Sequence, residues 1–220
     1  MPIRHYRDLF KELVHSPLLR LQAVVLFLTT YIDWVLMPFL TKLEGTHLPV
    51  FMISFYMLLG ASDGFIQPLF KQVKIYRIYL FVIVLDVVQI ASYWLEGVDV
   101  VLFTYVILSI FTLQAITFEI SRVHTIDFML GEIELKKYLM LRSFIVSGAI
   151  IAGSLSAMVL DYIGVLLWGT LMLLGVLGLY AVVIEFRLYR KFKKIVQSDE
   201  TLIVRQKSLL NEKIAPHNGE

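Results

Sequence analysis

Three aspartates stand inside long apolar stretches of this sequence, where a carboxylate would have no water around it. They are Asp33, Asp63 and Asp86. An ionised aspartate at the centre of a bilayer costs about 2.5 to 3.5 kcal/mol, so each should face protein or water rather than lipid. No Lys or Arg lies deep in an apolar stretch to neutralise them. The pattern indicates acids that are protonated, hydrogen-bonded or available to a cation, and both a structural role and a transport role stay open.

Six apolar segments must position these acids. The sequence is 58% hydrophobic and only 17% charged, which excludes an ordinary soluble domain. Each segment has about 21 to 24 residues and would be about 32 to 36 Å long as a helix, enough to cross a bilayer core of about 30 Å. The sequence therefore predicts an all-α integral membrane protein with six transmembrane helices, formed by residues 18–40, 48–70, 75–95, 98–120, 139–160 and 163–186.

The basic residues predict how this bundle is oriented. Of the 20 Lys and Arg residues, 19 fall on one side of the predicted membrane and only Lys42 falls on the other. Basic residues concentrate on the cytoplasmic side of membrane proteins, so both termini are expected in the cytoplasm. The predicted organisation is an interfacial amphipathic segment over residues 1–17, the bundle over 18–186 and a basic cytoplasmic tail over 187–220.

The fifth segment carries two rows of small residues. In each row the members are four residues apart, which places them on one helical face and lets another backbone approach closely. Ordinary packing inside the bundle and association between chains both fit this pattern. The rows are Gly148, Ala152, Ser156 and Ala149, Gly153, Ala157.

Other chemistry is not indicated by the sequence. The chain has no cysteine, which removes disulfides, thiolate metal sites and a cysteine nucleophile. The charged loop between the fourth and fifth segments contains His124, Asp127, Glu132 and Glu134, whose spacing matches no known metal-binding pattern. The sequence also has no phosphate-binding loop and no nucleophile elbow. We therefore expect no metal, no cofactor, no enzymatic activity and no nucleic-acid partner.

The stretch from Phe118 to Tyr162 resembles the region from helix 4 to helix 5 of the major facilitator superfamily, in particular its siderophore and macrolide exporters. Arg122, Asp127 and the Gly-rich run from Ser147 to Ala157 carry this resemblance. It implies the amino-terminal six-helix half of that fold, in which helices 1 and 4 line the central cavity. Asp33 and Gln114 then become cavity candidates. The resemblance puts Glu119, a further candidate for the substrate or proton pathway, near the cytoplasmic mouth. Arg122, Asp127 and Arg142 are the candidates for a cytoplasmic gate, and the alternative is a solvated loop whose charges only keep it on the cytoplasmic side.

Two classes of function follow from these expectations. The first is a half-size transporter in a bacterial inner membrane, acting as a homodimer or with a second membrane subunit, that exports a small molecule coupled to protons through Asp33, Asp63 or Asp86. The second is a bundle that does not transport and serves as an assembly subunit of a membrane complex. Pro68 favours the second class, since it stands where the family's signature between helices 2 and 3 has an aspartate. In both classes the surrounding lipid is a partner.

Overall fold

The structure is a computed structural model that describes residues 11, 13–41, 73–99, 102–111, 113, 114, 117 and 135–214. Beyond Asp199 it describes the helical backbone only. Within these ranges the regular secondary structure is entirely helical, which confirms the all-α part of the predicted fold class. The second predicted segment, over residues 48–70, lies outside the described residues.

Five helices of ten or more residues can be followed in the described residues. Four of them, α1, α2, α4 and α5, are long and apolar enough to cross a membrane, whereas α3 is a shorter apolar helix within the fourth predicted segment. They indicate a membrane-embedded protein, while the total of six crossings stays a prediction. The helices are α1 (Pro17–Thr41), α2 (Ile75–Ser92, continued by a 3₁₀ turn over Tyr93–Leu95), α3 (Leu102–Phe111), α4 (Leu135–Tyr162) and α5 (Leu167–Ile214).

Local sequence signals set where α1 begins and where α4 ends. Ser16 caps α1, since its Oγ accepts the backbone N–H of Leu19 at 3.3 Å. Helix α4 is terminated by Gly164, which has a φ of 74°. Glycine adopts this left-handed conformation at little energetic cost. The N–H groups of Gly164 and Val165 bond back to the carbonyls of Asp161 and Leu160, both at 3.0 Å, as in a Schellman motif. This tight turn lets α5 begin at Leu167 and run back alongside the bundle.

The helix directions follow from contacts between named side chains. Helices α1 and α4 run parallel, because Gln22 meets Tyr138 near their starts and Tyr31 meets Ser156 farther along. Helix α5 runs antiparallel to α2. The Phe192 ring lies 5.0 Å from that of Tyr79 near the start of α2, and Gly178 contacts Ile90 near its end. Three of the four long helices thus share one direction and α5 takes the other.

The two ends of the bundle differ in chemistry. We call the end where α1, α2 and α4 begin the basic end, since Arg20, Lys74, Arg77, Lys136, Lys191 and Lys194 gather there. The opposite end, which we call the aromatic end, carries the T-shaped pair Trp94 and Trp168, with ring centroids 5.7 Å apart. Each end has its own buried apolar cluster, built around Leu18, Ile75 and Phe192 at the basic end and around Leu36, Phe103 and Leu174 at the aromatic end.

This asymmetry supports a labelling experiment on orientation. Because the native chain has no cysteine, each cysteine introduced is a unique label. Tyr162→Cys, at the aromatic end, should react with a membrane-impermeant maleimide added outside intact cells, since the basic end is expected to face the cytoplasm. Ser198→Cys, beyond the basic end, should react only after the membrane is opened. The reverse pattern would contradict the predicted orientation.

The last helix extends well past the predicted end of the sixth segment. The change from apolar to basic composition at Phe186 suggests a boundary, but α5 continues without a break to Ile214. No Gly or Pro occurs between Gly178 and Pro216, so nothing in the local sequence interrupts the helix. The sixth apolar segment and most of the basic tail are therefore one helix.

Candidate functional site

A group of polar side chains lies between the two apolar clusters, near the middle of the long helices. We call it the carboxyl cluster. Its acids come from three different helices, and Asp86 and Glu185 are buried at 7% and 0% exposure. The cluster consists of Asp33 on α1, Asp86, Gln89 and Tyr93 on α2 and its 3₁₀ extension, Gln114 after α3, and Glu185 on α5.

Glutamine amides connect much of this cluster. The Gln114 Nε2 group donates to Asp86 Oδ1 and to Gln89 Oε1, both at 2.6 Å. The Gln89 Nε2 group in turn donates to the Tyr93 hydroxyl at 3.2 Å. A line of hydrogen bonds thus runs from Asp86 near the middle of α2 to Tyr93 at the aromatic end.

Asp86 and Glu185 face each other across the interface between α2 and α5. Neither carboxyl oxygen of Glu185 has a hydrogen-bond partner in the described residues, and Asp86 Oδ2 has none either. Both groups are acceptors only when ionised, so no hydrogen bond forms between them in that state. A hydrogen bond between the two carboxyls requires that one of them carries a proton.

Asp33 brings a third acid to the cluster from α1. Its side chain is half-buried, and it interacts electrostatically with Asp86 and with the Gln89 amide. The dominant interactions of all three acids are with one another and with glutamine amides. No Lys or Arg of the described residues is among these interactions, which agrees with the sequence. The cluster is an acidic site without a protein counter-charge in this part of the chain.

The sequence-based site candidates fall into three groups in the structure. Asp33, Asp86 and Gln114 come together in the carboxyl cluster. Arg142 lies elsewhere, beside Tyr138 near the basic end, and Tyr138 accepts a 2.8 Å hydrogen bond from Gln22. The remaining candidates lie outside the described residues, so the proposed gate stays a prediction. They are Asp63, Glu119, Arg122 and Asp127.

One of the two small-residue rows packs against α1. Ala149 and Ala157 are buried, and a Cβ added to Gly153 would lie 2.9 Å from Trp34 Cβ and 3.0 Å from the Tyr31 carbonyl oxygen. The other row contains Gly148, where an added Cβ meets no described atom within 4 Å, and the half-buried Ala152. That row reaches α1 through Ser156, whose Oγ accepts the Tyr31 hydroxyl at 2.8 Å. Close backbone approach is thus concentrated at Gly153.

Glu185 is a site residue that the sequence did not predict. It lies one residue before the predicted end of the sixth segment, where an acidic residue is expected to be solvated, like the charged residues that follow it. Because α5 continues, Glu185 lies inside the bundle rather than at its edge. A signal was present: Ile184, Leu188 and Phe192 recur every four residues, and all three are buried. That spacing predicts a core-facing stripe that continues through the basic run.

Comparison with known proteins identified no relative of this chain. No family model, curated protein or solved structure matches the chain. The class of protein is therefore indicated by the four long apolar helices of the described ranges, which suit a membrane-embedded helical bundle. The carboxyl cluster inside that bundle is the feature that indicates function.

Proposed function

We propose that this chain is a membrane transport subunit in which the carboxyl cluster couples the movement of a small molecule to a proton. The observation that carries the proposal is Glu185, which is fully buried, lacks a hydrogen-bond partner in the described residues, and faces Asp86 near the middle of the bundle. Ionisable groups at this depth commonly belong to ion pathways and proton relays.

Energetic cost supports a chemical rather than a structural role for these acids. An ionised acid at the bilayer centre costs about 2.5 to 3.5 kcal/mol on insertion scales. Replacing buried charged groups with well-packed apolar side chains is often neutral or stabilising. A bundle that served only as a scaffold would therefore gain little from three acids in its interior. A site that takes up and releases a proton needs them.

The proposed architecture is one half of a major facilitator-like transporter. Six crossings with both termini in the cytoplasm would let two copies, or one copy and a second membrane subunit, assemble around an axis along the membrane normal. Each half would contribute its own carboxyl cluster beside a shared pathway. The expected location is a bacterial inner membrane, and the expected direction of transport is export.

Transport driven by a pH gradient tests this proposal. Purified protein in liposomes should move at least one member of a panel of fluorescent cationic and amphipathic compounds when a gradient is imposed. Asp33→Asn and Glu185→Gln keep side-chain shape but remove a titratable group, so each should reduce gradient-driven movement about a hundredfold or more, as is typical for the loss of a proton-transfer group. Glu96→Gln, outside the cluster near the aromatic end, is the matched control. Full activity in both cluster variants would rule out proton coupling through this site.

One observation favours a second candidate, an assembly subunit that does not transport. Helix α5 continues beyond the apolar clusters to Ile214 and gives the bundle a basic helical arm that a partner subunit could bind. Under this candidate, copurification with a larger complex would survive Glu185→Gln and would be lost when the arm after Asp199 is removed.

A further inference from the structure

We infer that Asp86 and Glu185 act as one unit that binds a single exchangeable proton between their carboxyl groups, positioned by the amide of Gln114. The inference rests on the proposed function only for the identity of the bound ion. An acidic site could bind either a proton or a metal cation, and the proposed function names the proton. Four observations carry it: the mutual approach of the two acids, the burial of both, the direction of the Gln114 amide, and the atoms left without partners.

The unpaired atoms identify what the site lacks. Asp86 Oδ2 and both Glu185 carboxyl oxygens are buried and have no hydrogen-bond partner among the described residues. These atoms are all acceptors, and the missing component is a donor. A proton on either carboxyl supplies that donor and also removes one of two like charges that face each other. The geometry therefore fits one proton for the pair rather than one for each acid.

Gln114 determines which carboxyl oxygen of Asp86 is available to Glu185. Both N–H bonds of its amide are used, one by Asp86 Oδ1 and one by Gln89 Oε1, at 2.6 Å each. The reversed amide would set its oxygen against those two acceptor oxygens, so the orientation is determined by the hydrogen bonds. Asp86 Oδ1 is thereby occupied, which leaves Oδ2 as the oxygen available to the shared proton.

The same amide disfavours a metal cation. A metal needs several oxygen ligands that converge on one point, but here an N–H donor group lies beside Asp86 Oδ1 and Gln89 Oε1. In the described ranges, no set of three or more His, Cys, Asp or Glu side chains is arranged to hold a metal ion. A proton needs only the two facing carboxyls, and those are present.

The proton balance of the pair is simple. Two carboxylates and a hydronium ion give the singly protonated pair and one water molecule, so the charge of the pair changes from −2 to −1. Release to water on the other side of the membrane reverses the step. Among the described residues, the titratable groups that interact with Asp86 of the pair are Asp33 from α1 and Tyr93 from the end of α2. Gln89 interacts with both of these groups, and its Nε2 group donates to the Tyr93 hydroxyl at 3.2 Å.

Infrared difference spectroscopy on the full chain in lipid bilayers tests the inference without any substrate. The wild type should show the carbonyl band of a protonated carboxylic acid, shifted in D₂O and lost on alkalinisation. In Glu185→Gln, the new amide can donate to Asp86 in place of the proton, so the band should disappear. Asp86→Asn should abolish it in the same way, because its amide can donate to Glu185. Asp33→Asn should keep the band.

Several results would overturn the inference. A band that persists in both pair variants would mean that the proton lies elsewhere, as would a band lost only in Asp33→Asn. Sodium-dependent changes in the carboxylate bands of the wild type, without proton release, would indicate a metal cation instead. Each pair variant removes one of the two carboxyls, so the test stands if one variant fails to fold. A protein that shows the band but moves no compound would contradict the transport proposal and leave the shared proton intact.

Discussion

Replacing Gly153 with leucine should force α4 away from α1 and lower the free energy of unfolding by about 3 kcal/mol, the upper end of the usual overpacking range. An added Cβ alone would lie 2.9 Å from Trp34 Cβ and 3.0 Å from the Tyr31 carbonyl oxygen. The second of these atoms belongs to the backbone of α1 and cannot rotate away. The rest of the leucine side chain adds to the clash, so the two helices must separate.

Gly148→Leu is the matched control for this prediction. It lies on the same helix, five residues earlier, and an added Cβ there meets no described atom within 4 Å. Propensity for helix improves equally in both variants, so it cancels in the comparison. Thermal unfolding in a mild detergent should show a large loss for Gly153→Leu and a small change for Gly148→Leu. Equal losses would mean that the contact with α1 does not depend on close backbone approach.

Glu185→Met should remove the proton coupling and lower the free energy of unfolding by about 1 to 3 kcal/mol, because it leaves Asp86 without the carboxyl that shares its proton. Methionine fills a similar volume with flexible apolar atoms, so the packing around α5 changes little. Asp86 Oδ2, however, is buried and has no other hydrogen-bond partner among the described residues. Glu185→Gln should lose less stability, since its amide can donate to Asp86 in place of the proton.

Leu188→Met controls for the change in packing. Leu188 is also fully buried, lies one turn farther along α5, and changes by an apolar swap that usually costs less than about 1.5 kcal/mol. A comparison of unfolding temperatures for the two variants separates the removal of a carboxyl from the introduction of methionine. If Glu185→Met proves as stable as Leu188→Met, Asp86 does not depend on Glu185 for a hydrogen-bond partner, which would contradict the shared proton.

The apolar segments were predictable because membrane-spanning length leaves a direct mark on composition. The first segment, predicted over 18–40, corresponds to α1 at Pro17–Thr41, and the third begins at Ile75 as predicted. The end of the last helix was not predictable in this way. Composition changes at Phe186, but backbone hydrogen bonding does not depend on whether side chains are apolar or basic, and α5 continues to Ile214.

The carboxyl cluster was predictable in part. Asp33, Asp86 and Gln114 stand out because each is polar within an apolar stretch. Their proximity, and the pairing of Asp86 with Glu185, could not be read from the sequence. Which side chains face each other across two helices depends on the rotation and axial offset of both. In α2 and α5 that offset is visible only in contacts such as Gly178 with Ile90.

Charge movement after a rapid pH change is the most direct test of a proton-binding site in this bundle, and it needs no knowledge of the substrate. Proteoliposomes on a solid-supported membrane should give a transient current when the external pH is lowered, because protons enter the carboxyl cluster. The current should be lost in Glu185→Met and kept in Leu188→Met and in Glu96→Gln. A transient of full size in Glu185→Met would contradict the account, because the proton would then bind without the acid that faces Asp86.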